Sequence, residues 1–144
     1  MRRYVIASIL LASCGGDSNS FESEFVGRWT FDDGSLVTVN CPEEEPLENS
    51  IVNTGIEIVA LGESRLQVTN SVPCSFEYRL EGATAILDPF SQECEVPDGA
   101  GGTAVETRAT ETISLAGETL TLVAEGRLGE PGGCTISVSG TLSR

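Results

Sequence analysis

The chain has 144 residues with 22 acids against eight basic side chains, every one of them arginine, and neither lysine nor histidine. A formal charge of -14 argues against nucleic-acid partners, whose phosphates need cationic side chains to displace their counterions. Without histidine or lysine, Ser-His-Asp, Cys-His and Ser-Lys catalysis are excluded; paired carboxylates remain, but no pair stands out from so many acids, and no enzyme is expected.

In chain order, Met1-Arg2-Arg3 is a basic start and Tyr4 to Ala12 is apolar apart from Ser8. That run is about half the roughly twenty residues a spanning helix needs, so it reads as an export signal. Leu11-Ala12-Ser13-Cys14 follows, and it resembles the lipobox of bacterial lipoproteins: an aliphatic residue, two small residues and a cysteine. The resemblance implies that residues 1–13 are a signal peptide cleaved after Ser13. It also implies diacylglycerol on the Cys14 sulfur, an acylated new amino terminus, and attachment to the membrane through the lipid. Each buried methylene adds about 0.8 kcal/mol, so several acyl chains hold the protein permanently. Gly15 after the lipidated cysteine, by the same resemblance, favours the outer membrane of the cell envelope. Residues 14–24 read as the lipidated cysteine and a polar, Gly-rich tether, with a helical turn at Ser20 to Glu24. Outside the expected signal peptide, six arginines face 22 acids, a balance of about -16, which keeps a domain soluble and attracts cations or basic partners.

Residues 25–144 form one domain in which apolar side chains recur at every second position, the period of strands with one buried face. Phe25, Gly27, Trp29 and Phe31 share a face; Val37 and Val39 follow, then Ile56, Ile58 and Ala60, then Leu66 and Val68. Cys74, Phe76, Tyr78 and Leu80 come next, then Ala85 and Leu87, then Val105, Ile113 and Leu115. Leu120, Leu122, Ala124 and Leu128 precede the last strand, with Ile136, Val138 and Leu142. The spacing predicts an all-β, antiparallel up-and-down meander of about nine strands. Closure into an eight- or nine-strand barrel is expected, because it removes free edges; a β-sandwich is the alternative.

Asp33-Gly34, Gly62-Glu63, Gly82-Ala83 and Gly117-Glu118 are tight-turn signals, and longer connections fall at Pro42 to Thr54, Asn70 to Pro73, Glu95 to Gly102 and Gly129 to Gly133. A meander reverses at each connection, so the tight turns gather at one end and the long loops at the other. Cys41, Cys74, Cys94 and Cys134 all reach the long-loop rim and read as two disulfides in an oxidising compartment. Of the three pairings, Cys74 with Cys94 and Cys41 with Cys134 is preferred because the first pair flanks one hairpin. A zinc site is the rival, but there is no CxxC spacing and no histidine, and neither metal nor cofactor is expected. Glu43-Glu44-Glu45 and Glu48 read as a solvated loop rather than a Ca²⁺ site.

Phe25-Val26-Gly27-Arg28-Trp29 resembles the Gly-x-Trp segment that opens the lipocalin and calycin barrels. The resemblance implies a barrel whose tryptophan plugs the closed end and whose interior holds a small hydrophobic ligand. One departure stands out: with Asp33-Gly34 as a reversal, the long loops gather where the Trp29 strand begins. Trp29, Phe76, Tyr78 and Leu122 are the candidate ligand-lining residues, and Ala60, Ala85, Ala124, Gly126 and Gly140 are small inward positions that leave room. The sequence therefore supports a ligand-carrying envelope lipoprotein or, alternatively, a structural or interaction lipoprotein with a filled core. An apolar cavity above about 300 Å³ favours carriage, and its absence favours display.

Overall fold

A computed structural model describes residues 21–129 and 133–144. The segments expected to be a signal peptide and most of a tether, with Cys14, as well as part of the loop at 129–133, lie outside the described residues. The elements are a helical turn α1 (Glu22–Phe25) and strands β1 (Gly27–Phe31), β2 (Leu36–Asn40), β3 (Leu47–Ser50), β4 (Gly55–Gly62) and β5 (Arg65–Asn70). They continue as β6 (Ser75–Glu81), β7 (Thr84–Leu87), β8 (Gln92–Pro97), β9 (Thr103–Ala116), β10 (Thr119–Leu128) and β11 (Cys134–Ser143).

These segments resolve into eight long strands. β1 and β2 both pair antiparallel with β11 and run as one strand interrupted at 32–35. β4 and β3 pair with β1 and β2 respectively, so they too are one interrupted strand. β7 and β8 share β9 as partner in the same way. Each long strand thus pairs with its sequence neighbour, and Phe31 opposite Leu142 joins first to last, closing an eight-strand antiparallel barrel. This is the meander the alternation demands, and closure overturns the sandwich alternative.

Asp33-Gly34 is not a reversal. Residues on either side keep the same partner strand, Gly34 takes a positive φ of 87°, and Ser35 tucks into the interior. Opposite it, Asn53 at a φ of 63° allows the matching excursion at 51–54, which remains hydrogen-bonded through Asn53 N–H to the Phe31 carbonyl at 3.1 Å. Two consequences follow. The barrel has eight strands, the lower of the two numbers expected, and β1 begins at the tight-turn end, so the long loops do not gather where the Trp29 strand begins. The long connection expected from Pro42 to Thr54 also shrinks, because β3 occupies its second half, and β8 extends into the one expected from Glu95.

At the tight-turn end, α1 drops the buried Phe25 into the barrel, and the Phe25 carbonyl accepts a 2.8 Å hydrogen bond from Trp29 Nε1. Arg144 lies over the Trp29 ring at 4.3 Å and donates to the carbonyls of Glu24 and Val26, completing the plug. Toward the other end, β9, β10 and β11 run ten or more residues and carry β8 on one side and β2 with β3 on the other. Among the described residues β3 pairs only with β2 and β8 only with β9, so the barrel opens between them on the side of β5 and β6. Disulfides Cys41–Cys134 and Cys74–Cys94 pin this rim, the first tying β2 to β11 and the second β6 to β8. The side chain of Gln92 adds a further seam, exchanging two 2.8 Å hydrogen bonds with the backbone of Glu77 where β8 parts from β6.

Candidate functional site

The interior is apolar at the plugged end, where Trp29, Ile58, Leu66, Ile113, Leu120 and Leu142 are all but inaccessible. Toward the open end the composition changes. Glu106, Arg108 and Glu111, all on β9, are buried. Strict alternation cannot place 106, 108 and 111 on one face. The register against β10 shows why it happens: Glu125 opposes Thr110 and Gly126 opposes Arg108, leaving Ala109 as the extra residue of a β-bulge. The bulge reverses parity, so Val105, expected inside, turns out to solvent, and Glu106 and Arg108 turn in to join Glu111.

Gly126 makes the bulge possible. A Cβ there would stand 2.3 Å from the Thr107 carbonyl oxygen and 3.2 Å from the Arg108 Cα, so only glycine admits the close approach. The inward glycines therefore do not create free volume as expected. Gly126 accommodates β9 backbone, Gly140 is covered by Ser35 and Phe31, and Ala60 is exposed, whereas Ala85 and Ala124 are buried.

Arg108 bridges the two carboxylates. Its Nε donates to Glu106 Oε1 at 2.9 Å, Nη2 donates to the same oxygen, and Nη1 donates to Glu111 Oε2. Its guanidinium also lies 4.9 Å from the centre of the Phe76 ring. Side-chain exposures of 7%, 8% and 2% for Glu106, Arg108 and Glu111 put all three charges out of water. Burial pushes the Glu111 carboxyl above its ordinary range, and the attraction of Arg108 only partly offsets it. Burial acts to lower Arg108, but the charges of Glu111 and Glu106 outweigh it and hold the guanidinium protonated.

Tyr78, on β6, is the fourth member. It is completely buried, and its hydroxyl has no hydrogen-bond partner among the described residues. Burial first, and then the nearby charge of Glu111, push the phenol well above its usual range. The Tyr78 hydroxyl is thus near enough to the Glu111 carboxylate for each to shift the other's titration, but it falls short of ordinary hydrogen-bond geometry. Buried polar atoms left in this state are rare, and each calls for an explanation.

These four side chains line one end of a cavity of about 190 Å³, open at the long-loop rim. Its other walls are apolar: Phe31, Val37, Val68, Phe76, Leu122, Ile136 and Val138, with Asn70, Ser71 and Val72 at the lip. Of the candidate lining residues, Phe76, Tyr78 and Leu122 come together here. Trp29 does not; it belongs to the plug. The charged triad was missed because the bulge carries no glycine or proline of its own. The one signal in the sequence is Gly126 on the neighbouring strand, which marks a close approach of backbone rather than room. No group of three or more metal-binding side chains occurs among the described residues, and Glu43, Glu44, Glu45 and Glu48 are exposed.

The fold and site thus define an eight-strand up-and-down barrel, plugged at one end and open at the other over a small, partly charged cavity. No protein-family model matches the chain, and no curated protein matches it. Among solved structures it is similar to a protein of unknown function from the DUF3598 family of Nostoc punctiforme, at 16% identity and a TM-score of 0.45. The match covers 85% of this chain and 48% of that protein, so the chain spans about half its length.

Proposed function

We propose that this is a lipid-anchored protein of the cell envelope, held at the outer membrane through Cys14, whose barrel binds a small molecule at its open end and performs no catalysis. The anchor rests on Leu11-Ala12-Ser13-Cys14 and on the short apolar run before it. Two disulfides on the rim support export, since the cytosol keeps thiols reduced. The binding reading is carried by one observation: a cavity of about 190 Å³ whose lining includes the buried, unpartnered Tyr78 hydroxyl. A plug at the Trp29 end and a mouth at the other is also the arrangement implied by the lipocalin resemblance.

The filled-core reading, in which the barrel only displays its loops, is favoured by one quantity. The cavity is smaller than the ~300 Å³ at which ligand pockets commonly begin. It nevertheless exceeds the 150 Å³ or so that accommodates a benzene ring in a protein interior, which limits the ligand to about that size. Native mass spectrometry of mature protein from its own membranes separates the readings. The binding reading expects a co-purified mass beyond the acyl chains on Cys14, released on denaturation. Protein carrying acyl chains alone supports display, and protein without them refutes the anchor.

A further inference from the structure

Resting on the binding reading above, we infer that the cavity selects a small organic cation, an amine or ammonium group on a compact apolar body, with its nitrogen against Glu111, Glu106 and the Tyr78 hydroxyl. Two carboxylates share a single guanidinium, so the triad carries one formal negative charge in excess, set behind apolar walls that screen it poorly. An ammonium group neutralises that excess. Its N–H groups can also donate to the Tyr78 oxygen, which has no partner otherwise.

Other ligand classes fit less well. An anion would meet the excess negative charge, and the one cation at hand, Arg108, is already engaged by both carboxylates. A metal ion would be repelled by the guanidinium lying between its would-be ligands. A purely apolar molecule would leave the Tyr78 hydroxyl unsatisfied and desolvate the triad further. The surface agrees with the site: 22 acids against six arginines outside the signal peptide draw cations toward the mouth and repel anions.

The test uses three probes of one shape, benzylamine, benzyl alcohol and benzoate, titrated calorimetrically into the full mature chain in detergent. The inference expects benzylamine to bind at least about tenfold more tightly than benzyl alcohol, a difference of the size one desolvated charge contact supplies, and benzoate not to bind. Glu111→Gln, which keeps the shape and removes the charge, should abolish the preference. Tyr78→Phe, which deletes only the unpartnered hydroxyl, should weaken benzylamine severalfold and keeps the test decisive should the glutamate variant fail to fold. Equal binding of amine and alcohol, or preference for benzoate, overturns the cation inference and leaves the binding reading standing. Amine binding indifferent to both substitutions places the amine on the acidic surface and overturns it as well. No heat with any probe overturns the inference and the binding reading together.

Discussion

Arg108→Met is the most informative single perturbation. The substitution keeps the length and apolar stem of the side chain but removes the guanidinium from between two carboxylates that are 7% and 2% exposed. Breaking a buried charge network by deleting one partner costs about 3 to 5 kcal/mol, a large share of a domain's total stability. Here the cost should sit at the upper end, because two like charges are left facing each other and the contact with Phe76 is lost too. The cost must also depend on pH. Glu111 already titrates high because it is buried, and without Arg108 it rises further, so its neutral form becomes the one the fold prefers. A group whose pKa is raised by folding supports the fold fully below its unfolded value and withdraws that support as pH climbs through the folded value. Urea unfolding followed by the fluorescence of Trp29, the single tryptophan, should therefore show the variant far less stable than the parent at pH 7 and closer to it in mild acid. A companion with Glu106→Leu, Arg108→Met and Glu111→Leu should recover the parental stability or exceed it by about 1 to 4 kcal/mol, as apolar replacement of buried ion networks does elsewhere. That outcome would place the triad's value in binding rather than in folding. An Arg108→Met midpoint within about 1 kcal/mol of the parent at both pH values would refute the reasoning, because it would mean that water reaches these charges.

Three further outcomes are expected. Gly126→Ala drives a methyl group onto the Thr107 carbonyl oxygen and should cost about 1 to 3 kcal/mol, with amide chemical shifts moving at Thr107, Arg108 and Ala109 rather than around Trp29. Replacing Cys41 and Cys134 by serine opens a 93-residue separation and should lower stability by about 4 to 5 kcal/mol on the chain-entropy account, against about 3 kcal/mol for the 20-residue pair Cys74 and Cys94; thiol titration of the mature parent should find no free cysteine. Glu111→Gln should flatten the decline of stability with rising pH, since the residue whose raised pKa drives that decline no longer titrates; an unchanged slope would assign the decline to the acidic surface alone.

Much of the barrel is legible in the sequence because a half-buried strand writes its geometry into every second residue. β6 and β10 alternate without a break, and the glycine turns at 62, 82 and 117 fall where reversals occur. The parity of the loops gathers the four cysteines at one rim but leaves three pairings open, and the preference for Cys74 with Cys94, which flank one hairpin, matches the disulfides present. What escaped depends on long-range pairing. Asp33-Gly34 has the local chemistry of a hairpin, and only the continued pairing of both flanks with β11 shows that the chain does not turn back. β3, Leu47-Glu48-Asn49-Ser50, is an exposed edge with a single apolar residue, so no alternation marks it. The site was hidden by the bulge at Ala109, because extrapolating inward from Leu115 and Ile113 reaches Glu111 correctly and then names Val105 where Glu106 and Arg108 belong. Tyr78 and Phe76 were found by period alone; that the hydroxyl of Tyr78 lacks a partner follows only from what surrounds it.

The account turns on whether the space beneath the rim is a receptor site or a packing remnant. A high-resolution crystal structure of the protein purified from its native source, with the density in that space refined without bias, answers most directly. The expected result is a compact non-solvent molecule within hydrogen-bond distance of Tyr78 Oη and the Glu111 carboxylate. An interior holding ordered water alone, or one collapsed so that no cavity remains beneath the rim, would contradict it.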